Sequence, residues 1–118
     1  MSEQEMEDWG EPISVYTTAQ ATEDGVLLSV AEMNKDWAQG PFSHITANLM
    51  AKGYYEVLGV PRLVNVMDLL NQALGIARGK PADRFYSGQV ELPDGLRQKV
   101  FIAQNETGKY TIMLPEDY

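Results

Sequence analysis

Apolar positions along the chain change their period near residue 80, clustering at three- and four-residue spacing before it and alternating after it. Leu63, Val66, Met67, Leu70 and Leu74 trace one side of a helix expected from about Pro61 to Ala77. Val64, Leu69, Ala73 and Ile76 widen that side beyond what a surface helix needs. The helix is therefore expected to be central and packed on more than one side. Pro61 suits its first turn, where a missing N–H costs little. Gly75 lowers helix propensity by about 1 kcal/mol relative to alanine, which points to close packing there.

Shorter signals precede this helix. Thr17 and Gln20 form a capping box, and Gly25 can supply the positive φ that stops the helix they start. Residues 13–16 then read as a short strand leading in, and 26–30 as an extended segment able to add an edge strand. Residues 31–38 are helix-compatible, with Met33 and Trp37 four apart, before Gln39, Gly40 and Pro41 interrupt. Ser43 is placed to cap another helix running through Lys52, burying Ile45, Leu49 and Met50, with Gly53 as its stop.

From Arg84 the pattern becomes that of a sheet. Strands are expected at 85–92, 97–104 and 109–114, separated by turns at 93–95 and 105–108. Tyr86, Val90 and Leu92, then Val100 and Ile102, then Tyr110, Ile112 and Leu114 would share the face lying on the long helix. The expected fold class is α+β. A helical N-terminal half, with a long central helix, packs on a C-terminal three-stranded antiparallel meander. Residues 1–12 are expected to be an acidic flexible tail and 13–118 a single α+β domain.

Charge adds direction. The chain of 118 residues carries a formal net charge of −8. Glu3, Glu5, Glu7, Asp8 and Glu11 stand in the first eleven residues without a base, a local net of −5. Residues 12–60 set Glu23, Asp24, Glu32, Asp36 and Glu56 against Lys35 and Lys52, and residues 61–118 balance. Such a field disfavours nucleic acid and anionic membranes as main partners and suits a basic protein. No apolar run approaches the roughly 18 residues a membrane helix needs, and no leader pattern stands out, so a cytoplasmic setting is expected. There is no cysteine, hence no disulfide and no thiol chemistry.

Chemistry-bearing patterns are scarce. His44 is the only histidine, without metal-ligand spacing around it, and no nucleophile elbow occurs. Phosphate-loop and dinucleotide fingerprints are lacking too, so no catalytic, cofactor or metal residues are assigned. The candidates are partner-binding ones: Glu3, Glu5, Glu7, Asp8, Glu23 and Asp24 for charge, with Trp9 as an apolar anchor. Glu23 and Asp24 sit at a helix C-terminus, against its dipole. A nucleic-acid platform could instead use Arg78, Lys80, Arg84, Arg97 and Lys99 with Phe85, Tyr86 and Phe101. Helix-end compensation and edge-strand protection explain the same cations. A small-ligand or small-enzyme site between the long helix and the sheet is also compatible with this pattern, as is assembly through an exposed meander edge. Trp37, Tyr54 and Tyr55 fit core or near-core roles.

Two patches carry a resemblance. The segment from Gln20 through Glu23, Asp24 and Gly25 to Leu27, following Tyr16, resembles the opening of a family of small uncharacterised phage, plasmid and other mobile-element proteins. The closing run from Tyr110 through Met113, Leu114 and Pro115 to Tyr118 resembles that family's end. Together they cover about a fifth of the chain. The resemblance implies a small accessory protein made by a mobile element in a bacterial cell, and no transferable site residues. The expectation is a non-enzymatic accessory protein that binds a host or phage protein, in the manner of an anti-defence inhibitor.

Overall fold

The computed structural model describes residues 17–118. The acidic segment 1–12 and the strand expected at 13–16 lie outside the described residues. Helix α1 (Thr18–Glu23) starts as the sequence indicates. Thr17 Oγ1 accepts the Gln20 N–H at 3.1 Å, and Gln20 Oε1 takes the Thr17 N–H in return. Such a cap contributes about 1 kcal/mol. Gly25, at φ +80°, turns the chain into β1 (Leu27–Ser29).

The next segment departs from expectation. Helix α2 (Val30–Met33) lasts one turn, and a 3₁₀ turn follows over Lys35–Gln39. Asn34 separates them with an extended backbone, its side chain accepting the Asp36 N–H at 3.0 Å. That local bond competes with helix continuation. Met33 and Trp37 still pack against the main core.

The helix expected from Ser43 to Lys52 begins as a strand and is helical for one turn only. Strand β2 (Phe42–Thr46) comes first, and only α3 (Ala47–Met50) is helical. Thr46, not Ser43, caps it, its hydroxyl accepting the Leu49 N–H at 3.4 Å. Ile45 and Thr46 are β-branched and buried, and pairing on both sides outweighs a weak helical preference.

Strands β3 (Phe85–Glu91), β4 (Arg97–Gln104) and β5 (Tyr110–Met113) form the expected antiparallel meander, but they do not form the whole sheet. Strand β2 runs parallel to β5, and β1 runs antiparallel to β2, giving the order β1-β2-β5-β4-β3. The architecture is thus a five-stranded mixed sheet with one long helix, not a helical half joined to a three-stranded meander. Register shifts between Phe42 and His44, and that bulge hides strand alternation from a periodicity argument.

Helix α4 (Leu63–Ala77) lies along β3. Val66, Leu69 and Ala73 are fully buried and join Val90, Val100, Ile102, Ile112 and Leu114 in the main core. Tyr86 and Tyr110 pack against the same core, so the predicted sheet face is the one that meets the helix. A Cβ at Gly88 would sit 2.8 Å from Ile76 Cδ1, so a glycine in β3 is what admits the helix this closely. Gln72 fastens the contact: its Oε1 accepts the Glu91 N–H at 2.8 Å and its Nε2 donates to the Glu91 carbonyl at 3.0 Å.

Three expectations about this helix fail. Pro61 precedes it, pairing with Tyr55 in an isolated bridge, and Arg62 is the N-cap. Gly75 is exposed with open space around its Cβ position, so no close packing explains it. Only one side of α4 is buried. The sheet's other face carries a smaller cluster of Ala21, Leu27 and Met113, with Phe101 and Ala103 alongside.

Candidate interaction surface

The loop entering α4 is short, closed and apolar. The Arg62 N–H donates to the Tyr54 carbonyl at 2.8 Å, and the Glu56 N–H donates to the Val60 carbonyl at 2.6 Å. These bonds and the Tyr55–Pro61 bridge hold Val57, Leu58 and Gly59 as a projecting tip. Leu58 adopts φ 70°, the one positive φ outside glycine among the described residues, and is 95% exposed. A left-handed backbone at a non-glycine residue costs about 1 kcal/mol, and Leu58 recovers none of it by burial here.

Leu58 has company. Eight large apolar side chains are strongly exposed among the described residues, and six of them fall between residues 57 and 67. They are Val57, Leu58, Val60, Leu63, Val64 and Met67. Scattered exposed apolar residues are ordinary, but a contiguous group marks a contact surface. The signal was present in the sequence: Val57, Leu58 and Val60 are apolar residues in a stretch punctuated by Gly59 and Pro61, where a solvated loop would be polar.

Two hollows follow the same flank of α4. The first, of about 600 Å³, is lined by Leu27, Leu28, Met33, Tyr55, Val60 and Leu63 among others. The second, of about 260 Å³, is lined by Trp37, Pro41, Phe42, Met67, Leu70 and Leu74 among others. Leu63, which lines the first hollow, and Met67, which lines the second, are one helical turn apart on α4, so the hollows succeed one another along it. Glu32 is the only charged residue lining the first, and Asp36 the only one lining the second. Both are exposed. Thr22 and Gly25 also line the first hollow, whereas the exposed Glu23 and Asp24 between them in sequence line neither hollow. Glu3, Glu5, Glu7, Asp8 and Trp9 lie outside the described residues.

The five cations named from sequence separate. Arg78 and Lys80 follow α4, and Arg84 precedes β3. Arg97 pairs with Glu91 at the opposite end of β3, about 20 Å from Arg84 by strand rise. Arg97 Nε donates to Gln89 Oε1, and Lys99 stands 5.7 Å from the Phe101 ring centre. Phe85, Phe101 and Tyr118 meet edge to face, turning ring edges into one another's faces. A polar hollow of about 670 Å³ on the other side of α4 gathers Lys52, Arg62 and Arg97 beside Asp94. Asp94 Oδ1 accepts the Leu96 N–H at 2.9 Å, so the one acid lining that hollow serves the β3–β4 turn.

His44 belongs to a structural cluster. The bulge in β2 lets Ser43 Oγ meet His44 Nδ1 at 2.7 Å. Asn105 Nδ2 donates to Ser43 Oγ at 2.8 Å and to Thr111 Oγ1 at 3.0 Å. Next to Asn105, Glu106 Oε2 accepts the Thr18 hydroxyl at 2.7 Å and the Thr18 N–H at 2.8 Å. Burial holds the His44 pKa below its ordinary value, against an upward pull from Glu106 and Glu32. Burial pushes Glu106 up, but the Thr18 hydrogen bonds outweigh it and keep the carboxyl below its ordinary value, with help from its own backbone and His44. None of the hollows above is lined by these residues. Their work is to tie β2 and α1 to the β4–β5 turn.

Among the described residues, no three His, Cys, Asp or Glu side chains gather closely enough to hold a metal ion. No helix there is long and apolar enough to cross a membrane. No protein-family model matches the chain, and no curated protein or solved structure matches it.

Proposed function

We propose that the chain is a non-enzymatic binding protein whose contact surface is the apolar flank of α4 with the loop tip before it. One observation carries this: six strongly exposed large apolar residues are concentrated between Val57 and Met67. The acids lining the hollows, Glu32 and Asp36, support a basic protein partner at this surface. The resemblance of the chain ends to small phage and plasmid proteins sets that partner among host or element proteins, where an anti-defence inhibitor would act.

The test compares what tagged wild type and the double variant Val64→Asp, Met67→Asp retain from a bacterial lysate. Both side chains are exposed, so the variant is expected to keep the wild-type circular dichroism and melting temperature. Species held by wild type and lost from the variant are the expected result. Identical sets of retained proteins, or none in either, would overturn the proposal.

A further inference from the structure

The two hollows say more about the occupant than that it is apolar. Resting on the binding role proposed above, we infer that this groove receives an amphipathic helix with apolar anchors on one face and lysine or arginine flanking them. The first ground is shape. Leu63, Met67 and Leu74 follow one flank of α4 at helical spacing, facing Met33 and Trp37 across the hollows they line. A helix laid beside α4 presents its own anchors at the same spacing, one set per hollow.

The second ground is charge. Apart from Glu32 and Asp36, the residues lining both hollows are uncharged, so the floor is apolar and every lining charge is negative. Glu32 lines the first hollow and Asp36 the second, so each hollow carries one exposed acid. Cations flanking an apolar face would meet this border, gaining association rate and orientation more than raw affinity. A second copy of this chain fits poorly. Its net charge is −8, so pairing groove to groove would set acid against acid across the seam. An acidic or neutral helix would forgo the border altogether.

Trp37 makes a direct reporter, since it lines the second hollow and Trp9 is the only other tryptophan. In the full chain carrying Trp9→Phe, Trp37 emission is followed on titration with two synthetic helical peptides of about 18 residues. Both have leucine at three- and four-residue spacing; one has lysine at the flanking positions and the other glutamate. The lysine peptide is expected to shift Trp37 emission to the blue and to bind at least roughly tenfold more tightly than the glutamate peptide. Reversing the border with Glu32→Lys, Asp36→Lys should invert that preference. The remote reversal Glu91→Lys, Glu116→Lys, which changes net charge equally, should leave it intact.

If the remote reversal inverts the preference as fully as the border reversal, net charge alone is at work and the inference falls. It also falls if both peptides bind every variant alike. Should Val64→Asp, Met67→Asp abolish peptide binding while the border reversal changes nothing, the docking surface stands and the basic partner is lost. A Trp37 signal that neither peptide moves overturns the helix assignment, and the lysate comparison separately decides whether the surface binds protein at all.

Discussion

The two sides of α4 have similar amino-acid character and opposite situations. Toward the sheet, Val66, Leu69 and Ala73 are fully enclosed, and Gln72 stitches the helix to the edge of β3. Away from it, Leu63, Val64 and Met67 are strongly exposed, and Leu70 and Leu74 line an open hollow. The apolar pattern alone makes both of these sides look like core. The difference shows that apolar width measures how much surface a helix gains by burying, not whether the cover comes from its own chain.

The largest expected effect tests the enclosed side against the open one. Leu69→Ala should cost about 3 kcal/mol, because it removes buried methyl groups and leaves a cavity among packed neighbours. Met67→Ala, two residues away on the opposite side, should cost under about 1 kcal/mol, because nearly half of the residue is already in water. Urea denaturation of both variants measures the contrast. Equal losses would mean the flank is covered in solution, and the contrast between the two sides would disappear.

Acid should act through a region remote from both sides of α4. His44 and Glu106 both titrate below their ordinary values in the folded protein. A lowered folded pKa means the unfolded chain binds the proton more readily, so stability is lost on acidification. The His44 contribution is whole above pH 6.5 and fades as pH falls below it; that of Glu106 is whole above pH 4.5 and fades below that. Denaturation midpoints of wild type and Glu106→Gln, measured across this range, isolate the second step. The comparison cancels the general relief of repulsion in a chain of net charge −8. A wild-type and variant pair whose midpoints fall in parallel below pH 4.5 would remove Glu106 from the account.

The smallest effect concerns the tip. Leu58→Gly should leave stability level or raise it by under about 1 kcal/mol, since relief of the positive φ is offset by greater freedom in the unfolded chain. The same change should weaken partner capture, which would set function against stability at one residue. Loss of stability with capture unchanged would make Leu58 part of the fold instead.

Local signals are legible in the sequence and distant ones are not. The Thr17–Gln20 box, the meander turns and the long helix are each encoded within a few residues, and all three are where the sequence places them. Strand β2 escapes because its partner β5 lies some 65 residues further on and because its bulge scrambles the alternation of Phe42, Ile45 and Thr46. Ser43 mimics a helix cap, while the true cap, Thr46, looks like one more buried β-branched residue. Among the described residues, charge singles out Glu23 and Asp24, which line neither hollow, whereas hydrophobicity places Leu63, Val64 and Met67 in the interior. The sequence carries their apolar character but not their exposure among the described residues.

The parallel pairing of β2 with β5 has a consequence for the order of folding. Of these five strands β5 leaves the ribosome after the other four, yet it occupies the middle of the sheet, with β1 and β2 on one side and β4 and β3 on the other. Until residues 110–113 emerge, the chain owns two separate hairpin-like halves and no continuous sheet. A polypeptide cut short before Tyr110 would strand both halves with unsatisfied edges, an invitation to aggregate.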